Sequence, residues 1–96
     1  MQHLYLVAYD VADDKRRSKI AEQLEGVGER LQYSVFRCPL DEAALARVAN
    51  ELNELVNNAH DQVLFFNLGP ADGHGALPAK VIGKPVKAVE RTVIVI

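Results

Sequence analysis

The sheet turns on residues 30–36, Arg30-Leu31-Gln32-Tyr33-Ser34-Val35-Phe36. The stretch alternates without a break. Leu31, Tyr33 and Val35 fall on one side of an extended chain, and Gln32, Ser34 and Phe36 on the other. The pattern predicts one long, bent strand over about Arg30–Cys38, with Pro39 as its stop. An earlier run, Leu4-Tyr5-Leu6-Val7-Ala8-Tyr9-Asp10, is rich in β-formers and ends on an acid, which predicts a first strand from Leu4 to Asp10. An acid at a strand end, arginines just after it and a polar-aromatic strand face together point to a phosphate-ester or nucleic-acid site.

Outward from these strands, Asp13 or Asp14 is placed to cap a helix whose apolar positions Ile20, Ala21, Leu24 and Val27 recur at helical spacing. Gly28 reads as the left-handed residue that ends it. Asp41 is placed to cap a second helix carrying the stripe Leu45, Val48, Ala49, Leu52, Leu55 and Val56, closed by Asn57-Asn58. Gln62 to Leu68 reads as a third strand, followed by a Gly-rich loop over 69–75. Val81-Ile82 reads as part of a short closing strand over 79–83, and Thr92 to Ile96 as a β-branched tail strand. The expectation is one α+β domain over residues 1–96, with a core of about 1–83 and a tail strand of about 91–96. Its architecture is ferredoxin-like, an antiparallel sheet with two helices on one face.

Two helices cover only one face of such a sheet. Gln32, Ser34 and Phe36, with Leu4, Leu6 and Ala8 or their neighbours, are expected on the open face, where an apolar surface calls for a second copy. An apolar edge strand at the tail makes the same demand, and a two-fold homodimer meets both.

The bulk numbers exclude several classes. The longest apolar runs are of strand length, well short of the roughly 20 residues that span a bilayer, so no membrane association is expected. The N-terminus shows no signal-peptide pattern, and Cys38 is the only cysteine; both fit a reducing cytoplasm. The net charge of -2 argues against coating nucleic acid by bulk electrostatics. The charge is unevenly spread, with residues 1–39 neutral, 40–79 at -5 and 80–96 at +3. A polyanion would therefore meet the two ends of the chain through a local patch with few phosphates engaged.

Asp10 sits where a strand hands over to a loop, a place that suits a catalytic group and more commonly a turn cap. A dimer axis near the first strand would bring two copies of Asp10 together, and a shared cation would relieve their repulsion. Arg16, Arg17 and Lys19 lie in the first turns of the helix, where the dipole disfavours cations, so either a phosphate partner or a solvated face accounts for them. Arg30 is placed to reach the same zone. Tyr9 and Phe36 offer rings for base stacking or for packing. His3, His60 and His74 show no ligand spacing with each other or with Cys38, which speaks against zinc.

In combination, Tyr9-Asp10-Val11, Asp13-Asp14-Lys15-Arg16-Arg17 and Gly28-Glu29-Arg30-Leu31-Gln32-Tyr33-Ser34-Val35-Phe36 resemble the small CRISPR-associated endoribonuclease family, CRISPR-associated protein two. Leu40-Asp41, the amphipathic helix, Asp61-Gln62-Val63 and Gly83 look like that family too, with the match dense over 4–68. The resemblance implies a ferredoxin-like homodimer whose C-terminal strand packs on the partner subunit. It implies antiviral defence through spacer acquisition with the CRISPR integrase, where the dimer bridges duplex DNA. It also implies a magnesium-dependent nuclease of single-stranded RNA or of DNA, with manganese as an alternative ion. By position, the family's catalytic, metal-binding aspartate falls on Asp10, and its further functional positions on Tyr9, Arg17, Lys19, Arg30 and Phe36. At Lys19, where some members have arginine, the charge is kept and the bidentate fork is lost. A non-catalytic duplex-DNA scaffold and a toxin-type ribonuclease of the same fold are the alternatives.

Overall fold

In the computed structural model, which describes residues 1–72 and 80–84, the alternating stretch folds into two strands rather than one. The order is β1 (His3–Asp10), α1 (Asp14–Glu25), β2 (Glu29–Gln32), β3 (Val35–Leu40), α2 (Glu42–Leu55) and β4 (Gln62–Pro70). The long bent strand expected over Arg30–Cys38 is thus a hairpin that turns at Tyr33-Ser34. No glycine, proline or asparagine marks this turn, so contacts from elsewhere must hold it. The Tyr9 N–H donates to the Ser34 carbonyl (3.1 Å), and the Tyr9 hydroxyl and an Arg30 N–H donate to the Tyr33 carbonyl (3.3 and 3.1 Å).

This hairpin supplies the strand expected over 79–83. Val81 and Ile82 lie in irregular backbone and are exposed. The sheet has the order β2-β3-β1-β4, antiparallel throughout, and the chain runs β-α-β-β-α-β, the ferredoxin-like arrangement. The tail strand expected over 91–96 lies outside the described residues.

Both helices start where their aspartates allow. Asp13 accepts from the Arg16 N–H (2.9 Å) and Asp41 from the Ala44 N–H (2.8 Å), each satisfying a donor that the first turn leaves open. α1 ends earlier than its apolar spacing implies, with Gly26 as a right-handed cap. Gly28 is not left-handed, contrary to expectation: among the described glycines only Gly69 and Gly83 have positive φ. What Gly28 supplies is space, because a Cβ there would stand 2.3 Å from the Arg37 carbonyl oxygen and 2.5 Å from the Cys38 sulfur.

Pro39 does not stop a strand either. It sits inside β3 opposite Leu4. The Tyr9–Ser34 bond sets the phase of the β1–β3 ladder, and by alternation the Pro39 nitrogen points away from β1. On that side the register with β2 has ended at Arg37, so the missing N–H breaks no ladder bond.

The helices lie on one face of the sheet. Ile20, Ala21 and Leu24 of α1 and Val48 and Leu52 of α2 join Val7, Tyr9, Phe36, Cys38 and Leu40 in one buried cluster. Phe36 is fully buried in it, so the expectation that Phe36 lies on the open face is wrong. The turn at Tyr33-Ser34 and a register shift between Arg30 and Gln32 reset the alternation. The open face instead carries Leu6, Ala8, Val35 and Arg37, with the exposed Leu64, Phe66 and Leu68 of β4. Cys38 is buried, and desolvation pushes its thiol up to about 11, which makes it a core residue rather than a nucleophile. No helix among the described residues is long and apolar enough to cross a membrane.

Candidate nucleic-acid and metal site

Strand geometry divides the residues singled out from the sequence. Tyr9 and Asp10 are neighbours in β1, so they face opposite sides of the sheet. Tyr9 belongs to the helix-side core, its ring stacked at 6.2 Å from Phe36. Asp10 is exposed at the strand end, opposite Gln62, on the same face as Leu6 and Ala8. Among the described residues its carboxylate has no hydrogen bond and no ion pair.

On the helix side, Tyr9, Arg17, Arg30 and Tyr33 converge with Ser18 and Ala21 around a cavity of about 200 Å3. Arg17 donates to the carbonyls of Val11 (3.0 Å) and Ala12 (3.1 Å) and pairs with Asp14, and its guanidinium lies over the Tyr33 ring at 5.7 Å. Arg30 pairs with Glu25 at 3.6 Å and lies over the Phe36 ring at 5.1 Å. Phe36 is thus the buried floor under Arg30, and any stacking on an outside ligand falls to a more exposed ring. Burial raises the Tyr9 phenol above its ordinary value against the opposing charge of Arg30, so the hydroxyl stays protonated and serves as a donor to the hairpin.

Arg16 points elsewhere. It makes a bidentate pair with Asp61 (2.7 and 3.1 Å), whose side chain is screened from solvent and also accepts from the Asn57 N–H (2.8 Å). This clamp ties the start of α1 to the loop that leads into β4. Lys19 is exposed and has no partner among the described residues. Two participants were not singled out from the sequence. Asp61 meets Arg16 across 45 residues, a separation that leaves no local signal. Tyr33 had a legible signal in its place among polar neighbours, but a strand assignment hides a turn.

The Asp61 pair makes stability depend on pH. The hydrogen bond from Arg16, then that from Asn57, holds the Asp61 carboxyl below the ordinary 3.8. A carboxyl depressed in the folded state stabilises it above the unfolded value and loses that contribution as pH falls through the folded value. Asp61→Asn is therefore expected to melt lower than the parent at neutral pH. The gap should narrow as pH drops below 3.8, which paired thermal melts would read.

Of the described residues singled out, Asp10 is the one with a free carboxylate to offer an ion. No group of three or more His, Cys, Asp or Glu side chains that could hold an ion exists among the described residues. One exposed, unpaired carboxylate suits a hard cation that takes one or two carboxylates and fills its remaining positions with water and phosphate oxygens. The donor set fits magnesium or manganese and does not fit zinc.

The family model described as CRISPR associated protein Cas2 matches residues 2–72. The chain is 37% identical over 98 residues, covering all of both chains, to a protein of Geobacter sulfurreducens named CRISPR-associated endoribonuclease Cas2. Its fold is similar to the crystal structure of Streptococcus pyogenes Cas2, with a TM-score of 0.73 and 26% identity over 83% of this chain and 99% of that one. It is also similar to a chain of a partial Cas6-RT-Cas1–Cas2 complex, with a TM-score of 0.62 and 27% identity over 90% of this chain and 99% of that one.

Proposed function

The chain belongs to the Cas2 family of CRISPR-associated proteins, with a role in CRISPR adaptation and nuclease activity at family level, and from that premise we propose that it is a homodimeric, metal-dependent endonuclease that also bridges DNA beside the integrase. One observation carries the catalytic part. Asp10, exposed and without a partner among the described residues, shares the helix-free face with Leu6, Ala8, Leu64 and Phe66. Burying that apolar surface against a second copy would bring the ends of two β1 strands, and two Asp10 carboxylates, toward one another. Their repulsion would favour a shared divalent ion.

A bound magnesium ion would polarise a phosphodiester and lower the pKa of a water molecule. The chain's own residues do the rest. Asp10 supplies the anionic ligand. Arg17 anchors the loop after Asp10 through the Val11 and Ala12 carbonyls, and so couples α1 to the strand end. Lys19 offers a cationic group on the helix side that is unpaired among the described residues, while Arg17 and Arg30, paired with Asp14 and Glu25, hold the hairpin and its ring. Arg16 contributes through its clamp on Asp61 rather than as a free cation.

A second reading, a duplex-bridging scaffold without hydrolysis, is favoured by the similarity to the Cas1–Cas2 assembly. Spacer acquisition in cells carrying the cognate locus tests the adaptation role. Deleting the gene should stop acquisition, and the wild-type chain should restore it. Acquisition that continues without the gene would overturn the role. Restoration by Asp10→Ala would assign the contribution in acquisition to bridging.

A further inference from the structure

The hairpin tip holds a tyrosine that packing does not explain. Tyr33 is 70% exposed, yet its backbone is fixed more firmly than a surface turn requires. Its carbonyl accepts from both Tyr9 and Arg30, and its ring lies against Arg17. A guanidinium 5.7 Å from the ring centroid occupies one face and leaves the other to solvent. Tyr33 also lines the cavity of about 200 Å3 that it shares with Tyr9, Arg17, Ser18, Ala21 and Arg30. That is less than the roughly 300 Å3 at which pockets for larger ligands begin, and it suits the edge of one planar group.

We propose that Tyr33 is a stacking platform for one unpaired nucleobase, and that it gives this chain a preference for single-stranded over duplex nucleic acid. The inference rests on the nucleic-acid reading above and adds to it the residue that selects unpaired strands. The charge pattern favours stacking over phosphate capture. Arg17 is paired with Asp14 and Arg30 with Glu25, so the patch around the ring carries little net charge. A π-face serves any base, so the platform should tolerate sequence, whereas bases inside a duplex have no free face to offer.

The test uses the full chain with EDTA present, so that no cleavage intrudes. A short labelled oligoadenylate RNA and a duplex of equal length are the probes. Tyr33→Leu should bind the RNA about ten-fold more weakly, Tyr33→Phe should bind like the parent, and duplex binding should be unchanged in both. The chain contains no tryptophan, so Tyr33→Trp places a lone reporter at the tip, and its fluorescence should be quenched as the RNA saturates. Thermal melts equal to the parent's would show that the exposed position leaves the fold intact. Unchanged RNA binding by Tyr33→Leu, or equal weakening on RNA and duplex, would overturn the platform alone. Failure of the parent to bind either probe would overturn the nucleic-acid reading and the platform with it.

Discussion

Asp10→Ala is expected to lower metal-dependent phosphodiester cleavage by about a thousand-fold or more while leaving the fold and nucleic-acid binding in place. The size follows from what a bound ion contributes. Stabilising the charge that develops on a phosphoryl group is worth several kcal/mol, and each 1.36 kcal/mol is a factor of ten in rate. The selectivity follows from the site. Asp10 is exposed and, among the described residues, its side chain touches no donor, so its removal leaves no buried group unpaired. Its thermal midpoint should stay near the parent's, and affinity for RNA in EDTA should be unchanged, because the Arg17, Arg30 and Tyr33 cluster lies on the other side of the sheet. Cleavage that survives would place the chemistry elsewhere.

Gly28→Ala is expected to produce the largest loss of stability of any Gly→Ala change among the described glycines. The added carbon would overlap the Arg37 carbonyl oxygen at 2.3 Å and the Cys38 sulfur at 2.5 Å, with the Cys38 Cα at 3.0 Å. These are backbone and buried atoms of β3, so relief requires moving that strand away from the segment entering β2. Overpacking that forces such a shift costs about 3 kcal/mol, and in a domain of this size each kcal/mol moves the melting midpoint by about 4–8 °C. A fall of about 10–20 °C, or failure to fold, is the expected reading. Gly26→Ala is the matched control. Its nearest obstacle is the Gln23 carbonyl at 3.4 Å, its backbone is right-handed, and the change should be neutral or slightly stabilising.

Local physics explains what could be read in advance. Asp13 and Asp41 cap their helices because a capping carboxylate acts within three residues, and the pattern is written in the same short window. β1 was legible because its β-formers end at an abrupt change of character. The β2–β3 hairpin was not. Leu31-Gln32-Tyr33-Ser34-Val35-Phe36 has the alternation of one strand and holds no glycine, proline or asparagine, and the bonds that hold the turn come largely from Tyr9, 24 residues away. Taken as one strand, the stretch leaves the fourth strand to Val81-Ile82 and Phe36 on the wrong face. The aspartate and the arginine cluster were each legible as chemistry. Their separation by the sheet was also readable in principle, since Tyr9 and Asp10 are adjacent in a strand. Arg16 was readable only as a cation near a helix start, and its bond to Asp61 belongs to tertiary structure alone.

In the proposed site, Asp10 of two copies holds one divalent ion. Manganese bound per chain, counted by electron paramagnetic resonance on protein whose mass is followed by sedimentation, tests it without reliance on catalysis. A dimer that binds about one ion per two chains, and an Asp10→Ala dimer that binds none, are the expected results. Equal manganese binding by the parent and by Asp10→Ala would contradict it.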